Sequence, residues 1–422
     1  MSRKVMAMVL AGGTVPALRI LAERRAKAAI PFGGIYRIID FALSNLMNSR
    51  INLVGILTQY NPSSLIGHVG IGTPWDFVGR TRYAKILSPY KGVKDSDWYR
   101  GTADAVYQNR NFIEDHNPDY VLVLSAEHIY AMDYSPVIEL HIDKKADCTI
   151  VCKKLPVPDP SRFGILDLDE DRKVLRYEEK PQTPQGAYYS LGIYVFNTDF
   201  LLDKLQEDAE QANSLHSFAY DVIPNLVQSY HVYAYIFDGV WEYCGSIAEY
   251  WRANMNLLKE RPEIDLWNWP VRTNLEDGNI GDRPPARFDP SAEIVNSLIS
   301  PGCLIQGKVE RSILSPGVTV EKGAVVRDSV VMHNTQIEAN ARVDKAILDK
   351  DVWIQANTLI GTEDLGTADF PYPAYFTSGV TVLGKSVKIG EGIRIGRNCF
   401  IYPGITISKP EYSEIPSGSS VE

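Results

Sequence analysis

The chain has 422 residues, 45% of them hydrophobic and 23% charged, enough for two or three cores and unlike a disordered or fibrous protein. Its net charge of −9 argues against broad nucleic-acid binding and leaves room for phosphate ligands at local Lys/Arg clusters. No apolar run approaches the roughly 20 residues of a membrane helix, and the first strand pattern begins directly after Met1-Ser-Arg-Lys4, so no membrane association and a cytoplasmic location are expected.

From the N-terminus, apolar runs predict strands over 5–10, 52–58, 120–125, 148–152, 193–196 and 231–237. Amphipathic stretches between them predict helices over 38–48, 105–116 and 246–260. That alternation is the pattern of a doubly wound, Rossmann-like α/β domain with ligands at the C-terminal ends of its strands. We place this domain at 1–275 and read the Pro/Gly/Asp-rich stretch within 276–295 as a linker.

Residues 296–422 follow a different rule. Val387, Ile393, Cys399 and Ile405 recur every six residues, as do Ile389, Ile395, Ile401 and Ile407. A period of six with small or apolar residues at fixed phases predicts a left-handed parallel β-helix of hexapeptide repeats. The insertion 362–378 interrupts the repeat and is expected to project as a loop. The isolated cysteines Cys148, Cys152, Cys244, Cys303 and Cys399 read as buried thiols, with no ligand spacing for zinc.

The chemistry-bearing segments lie at the predicted strand ends. Val5–Leu10 runs into Ala11-Gly-Gly13, the pattern of a strand opening a phosphate-cradling loop. Arg25-Ala-Lys27, Tyr36-Arg-Ile-Ile-Asp40, Thr58-Gln-Tyr60, Trp98-Tyr-Arg-Gly-Thr-Ala-Asp104, Glu179-Lys-Pro181 and Asn268-Trp-Pro-Val-Arg-Thr273 follow in order. Together these segments resemble the ADP-glucose pyrophosphorylase (glucose-1-phosphate adenylyltransferase) family. The resemblance covers nearly the whole chain and implies synthesis of ADP-glucose and pyrophosphate from ATP and glucose 1-phosphate, for glycogen or starch.

It also implies site residues. Leu10, Gly12, Gly13, Gln59, Tyr99, Gly101, Thr102 and Ala103 match nucleotide-binding positions. Lys27 matches a lysine that reaches the ATP phosphates. Gly164, Glu179, Lys180, Ser190, Tyr194, Phe218 and Trp241 match the sugar-phosphate side, where Glu179 and Lys180 hold a sugar hydroxyl and the phosphate. Lys27, Glu127 and Lys180 are the catalytic candidates. In-line attack of the sugar phosphate on the α-phosphorus of ATP leaves the protein mainly positioning and charge stabilisation to supply.

Four positions depart from the family pattern. Val15 stands where a loop glycine is expected, and Ala17 where an arginine would neutralise the pyrophosphate. The family holds Mg2+ with two aspartates; here Ser125-Ala-Glu-His128 offers Glu127 as the remaining metal ligand, and Trp241-Glu-Tyr-Cys-Gly-Ser246 puts Tyr243 at the second position. A phenol with a pKa near 10 is a neutral, weak ligand at pH 7, and Mg2+ demands tight octahedral geometry. Asp238 and Glu242 lie nearby in sequence, but Glu242 should face away from Tyr243 on a strand. His216-Ser-Phe-Ala219 also lacks a carboxylate at Ser217.

The four changes at Val15, Ala17, Glu127 and Tyr243 converge on the metal–triphosphate, and the sugar-side motifs other than the one at Ser217 are kept. The leading reading is a catalytically impaired regulatory subunit in a tetramer, homomeric or with an active paralogue. Two alternatives stand beside it: an active adenylyltransferase with an unusual Mg2+ site, and a non-catalytic metabolite-binding scaffold. The family's sugar-phosphate effectors act between the two domains, where Lys27, Arg37, Arg50 and Arg272 are candidate cations. A hexapeptide acyltransferase is disfavoured, because His333 is the only histidine of the repeat region.

Overall fold

The computed structural model describes residues 3–13, 16–90, 98–157, 159–362 and 378–422. Val15 and all but the two end residues of the insertion expected over 362–378 fall outside the described residues.

Val5–Leu10 is the centre of a nine-stranded mixed sheet, paired in parallel with Leu53–Leu57 on one side and Tyr120–Ser125 on the other. Its side chains alternate between two layers: Ala7 and Val9 enter one apolar core, Met6 and Met8 the other. Burial on both faces is why the strand reads as an unbroken apolar run. Beyond Tyr120–Ser125 the long strand Tyr188–Asn197 runs antiparallel and carries Cys148–Lys154 and Gly164–Leu168 on its other edge. The doubly wound class and the strand positions agree with the sequence reading.

The expected helix over 105–116 is two helices, Thr102–Gln108 and Arg110–His116. Asn109 breaks them at φ −106°, ψ 19°, and its amide donates to the Ala105 carbonyl and to the Tyr99 hydroxyl, each at 2.9 Å. Asparagine competes with the helix backbone in this way.

The C-terminal region forms three seven-stranded parallel sheets, the faces of a left-handed β-helix. Val320, Ile337 and Ile354 stack in one interior file, and Val326, Val343, Ile360 and Ile395 in another, all essentially buried. One corner is turned by Arg311, Asp328 and Lys345 at φ 44°, 48° and 46°. The first strands of this solenoid, Arg287–Phe288 and Glu293–Val295, lie inside the stretch read as linker. The Pro- and Asp-rich corners of that first coil have the composition of a linker.

The solenoid packs against the α/β region. Leu18, Phe32, Tyr250 and Leu257 share a core with Ile313, Val330, Ile347 and Phe400. Arg25 forms two hydrogen bonds with Asp349 at 2.8 and 2.9 Å, and Trp251 Nε1 donates to the Asp328 carbonyl at 2.7 Å. Beside them His68 lies between two carboxylates, Asp40 at 2.6 Å and Asp277 at 3.0 Å, and Arg37 pairs with Asp277. Burial alone would depress the His68 pKa, but the two carboxylates hold it above the ordinary value.

Candidate active site

Two clefts meet at the C-terminal ends of the central strands. The first, about 230 Å3, is lined by Leu10, Gly12, Gly13, Gln59, Tyr99, Gly101 and Thr102. Seven of the eight expected nucleotide-side residues therefore share one cavity. The eighth, Ala103, is fully buried beneath it, with its N–H donated to the His216 carbonyl at 2.8 Å. Tyr60, Arg100, Leu57 and Ala105 also line the cavity and were not anticipated. The Gln59 amide pairs in both directions with the Tyr99 backbone, accepting at 2.6 Å and donating at 3.3 Å. This ties the two walls together.

The second cleft, about 210 Å3, holds Gly164, Glu179, Lys180, Ser190, Tyr194 and Trp241. Phe218 is buried behind it, stacked on Tyr194 with ring centroids 6.0 Å apart. Glu179 accepts from the Tyr177 hydroxyl at 2.9 Å and lies 3.9 Å from Lys180 Nζ; burial pushes its pKa up. Ser217 carries no charge to the pocket and caps the turn that follows, accepting weakly from the Tyr220 N–H. Arg162, Phe163, His128 and Tyr177 line the cleft without having been singled out from sequence.

Glu127 lies where the clefts join. Its carboxylate crowds Gly13 so closely that a Cβ there would sit 2.7 Å from Oε1. Its other oxygen is 3.1 Å from Nζ of the buried Lys27. The same ammonium is 5.0 Å from the centre of the Tyr243 ring, a cation–π distance. The 241–243 strand pairs with 128–130, setting Tyr243 opposite His128. Burial holds the His128 imidazole well below its usual pKa, so it is neutral at pH 7.

Tyr243 is boxed in. It stacks on Trp241 at 6.0 Å and meets Phe163 edge-on at 5.3 Å, and the Arg162 guanidinium lies 4.7 Å from its centre. The ring folds over Gly245, where a Cβ would fall 2.1 Å from a ring carbon. Glu242 turns the other way and accepts from Asn256 at 2.7 Å. It and Asp238 line a separate cavity of about 550 Å3 behind Trp241 and Tyr243.

Residues 6–260 match the nucleotidyl transferase family, and 284–383 match the GlmU-like C-terminal hexapeptide family. The chain is 44% identical to a glucose-1-phosphate adenylyltransferase of Thermomicrobium roseum, over 99% of this chain and 97% of that protein. It is 42% identical to one of Thermotoga neapolitana, over 99% and 98%, and 40% identical to one of Fervidobacterium nodosum, over 94% and 95%. The chain belongs to the glucose-1-phosphate adenylyltransferase family.

Nucleotidyltransferases of this family generally use Mg2+. Among the described residues, Glu127 has no second carboxylate at the Tyr243 position to complete a two-carboxylate site for it. Among the described residues no group of three His, Cys, Asp or Glu side chains is arranged to hold a metal. The carboxylates around the cleft already have partners: Glu127 has Lys27, Glu179 has Tyr177 and Lys180, and Glu249 has Arg162. A divalent ion at Glu127 would have to displace a buried ammonium. Among the described residues no helix is long and apolar enough to cross a bilayer.

Proposed function

We propose that this chain is a catalytically impaired, regulatory member of the glucose-1-phosphate adenylyltransferase family. In this reading it works in the cytoplasm, in a tetramer with an active paralogue, and keeps pockets for a nucleotide and a sugar phosphate. The ligands are ATP and glucose 1-phosphate, or ADP-glucose, with sugar-phosphate effectors acting on the assembly. The observation that carries the reading is Tyr243. Where the family pattern has an aspartate facing the Glu127 position, this chain has a phenol ring, and Lys27 occupies the Glu127 carboxylate. Ala17 removes a further positive charge from the nucleotide side, and one lost stabiliser of developing charge costs about 10²–10³ in rate.

The assay is pyrophosphate release by the purified chain with ATP, glucose 1-phosphate and Mg2+. Silence is expected, and turnover in the typical range of about 1–100 per second would overturn the reading. The alternative, an active enzyme with an unusual metal arrangement, is favoured by the full-length similarity to named adenylyltransferases. It requires Glu127→Ala to abolish turnover.

A further inference from the structure

His216 lines neither cleft, yet the strap it belongs to touches the walls of both. The strap follows the helix Thr198–Ala209 and is locked by Asp208 and Ser214. The His216 ring Nδ1 lies 2.9 Å from one Asp208 oxygen, and Ser214 Oγ donates to the other at 2.6 Å. The His216 N–H closes the lock by donating to Ser214 Oγ at 2.9 Å. With a carboxylate as its partner, Nδ1 is the ring nitrogen that carries the proton. His216 is buried and held at φ 53°, in the left-handed region that most side chains avoid. Backbone kept in such a conformation is over-determined by its surroundings and collects at functional sites.

The His216 carbonyl accepts from the N–H groups of Ala103 and Asp104, at 2.8 and 3.3 Å, in the first turn of the helix Thr102–Gln108. N–H groups of a first turn have no acceptor within their own helix, so the strap supplies one from outside. The approach leaves no room for a side chain: a Cβ on Gly101 would sit 2.3 Å from the carbonyl oxygens of both Leu215 and His216. Two residues further on, the Phe218 N–H donates to Thr102 Oγ1 at 3.0 Å. Gly101 and Thr102 line the first cleft. Phe218 and Ala219 belong to the second, one stacked on Tyr194 and the other in the lining.

We infer that His216 is a positioning residue of the nucleotide cleft, acting through its carbonyl to fix the Gly101–Thr102 wall. Without the lock to Asp208 and Ser214, the strap relaxes to an ordinary φ, the carbonyl leaves Ala103 and Asp104, and the wall loses its backing. Gln59 ties the same wall from the opposite side through the Tyr99 backbone, so losing the strap loosens the wall without dismantling it. The sugar side is held independently, by the Phe218–Tyr194 stack and the Tyr177–Glu179 hydrogen bond. The role is therefore directional: it bears on nucleotide affinity far more than on sugar-phosphate affinity. The inference rests on the proposed function for the identity of the two ligands.

The test is calorimetric titration of the full chain with ATP and Mg2+ and, separately, with glucose 1-phosphate, so that no turnover intervenes. His216→Ala and Asp208→Ala should weaken ATP binding about tenfold while changing glucose 1-phosphate binding less than about threefold. His216→Asn should recover part of the ATP affinity, because asparagine tolerates a positive φ. His216→Val should bind ATP most weakly, because a β-branched residue does not. Circular dichroism and a thermal melt report whether each variant folds. Should the His216 variants fail, Ser214→Ala and Asp208→Asn each remove one strut of the lock and should show the same selective loss. Folded variants that bind ATP within about threefold of the natural chain, or that lose both ligands equally, overturn the inference and leave the proposed function standing. So does His216→Val binding ATP as well as His216→Asn. A natural chain that binds glucose 1-phosphate but no ATP overturns the nucleotide pocket of the proposed function, and this inference with it. Pyrophosphate release at about 1–100 per second, with the selective loss of ATP binding intact, overturns the proposed function alone.

Discussion

Arg25 and Asp349, 324 positions apart in sequence, are joined by two hydrogen bonds of 2.8 and 2.9 Å in a setting almost closed to solvent. The pair crosses from the α/β region to the solenoid. A buried ion pair is a modest source of net stability, but removing one partner strands a charge and costs about 3–5 kcal/mol. Arg25→Ala should therefore lower unfolding stability by about that amount, read by urea denaturation. Arg25→Ala combined with Asp349→Ala should lose less than the sum of the single changes. Additive losses would mean the pair is not coupled.

Gly245 sets the placement of Tyr243. A Cβ there would lie 2.1 Å from the ring, which Trp241, Phe163 and Arg162 prevent from moving aside. Gly245→Ala should destabilise the fold by about 1–3 kcal/mol through overpacking. It should also change the tryptophan fluorescence, because Trp241 is stacked on the displaced ring. A melt and an emission spectrum indistinguishable from the natural chain would contradict this placement.

Restoring the family pattern should restore chemistry. The triple change Tyr243→Asp, Ala17→Arg and Val15→Gly is expected to raise Mg2+-dependent pyrophosphate release by about 10²-fold or more over the natural chain. Tyr243→Asp alone should make turnover respond to Mg2+ even where the rate stays low. A triple variant as silent as its parent would place the impairment elsewhere.

The Asp277 carboxyl gives the stability a defined acid limb. Burial would raise its pKa, but the His68 hydrogen bond and the Arg37 guanidinium hold it well below the usual carboxylate range. A carboxyl depressed in the folded state adds stability above its unfolded pKa of about 4 and loses that contribution as pH falls below it. The melting temperature should drop from about pH 4 downward, and Asp277→Asn should flatten part of that drop while lowering the melt at neutral pH. An acid limb identical in the two proteins would assign it to other groups.

Much of this was legible in the sequence, for physical reasons that differ by segment. Val5–Leu10 announces itself because both its faces are buried, and the files Ile389–Ile407 because each coil must repeat the same interior positions. The Asn109 break was hidden because it depends on one side chain finding a carbonyl and the Tyr99 hydroxyl. The first coil was read as linker because turning corners and spanning gaps use the same residues. At the site, the family resemblance singled out Glu179, Lys180 and Trp241, whereas Arg162 acquires its neighbours from positions 81 and 87 residues away. No local pattern marks such a residue.

The shared core of Leu18, Phe32 and Tyr250 with Ile313, Ile347 and Phe400 governs the order in which the chain can mature during synthesis. When the nucleotidyl transferase region has left the ribosome, the surface that will meet the solenoid is still bare, because its covering strands have not been made. Contacts between segments so distant in sequence form late. The nascent chain must therefore carry an uncovered apolar face until the first coils stack, and a fragment ending before position 280 would keep that face indefinitely. Such a fragment is a substrate for chaperones and a nucleus for aggregation.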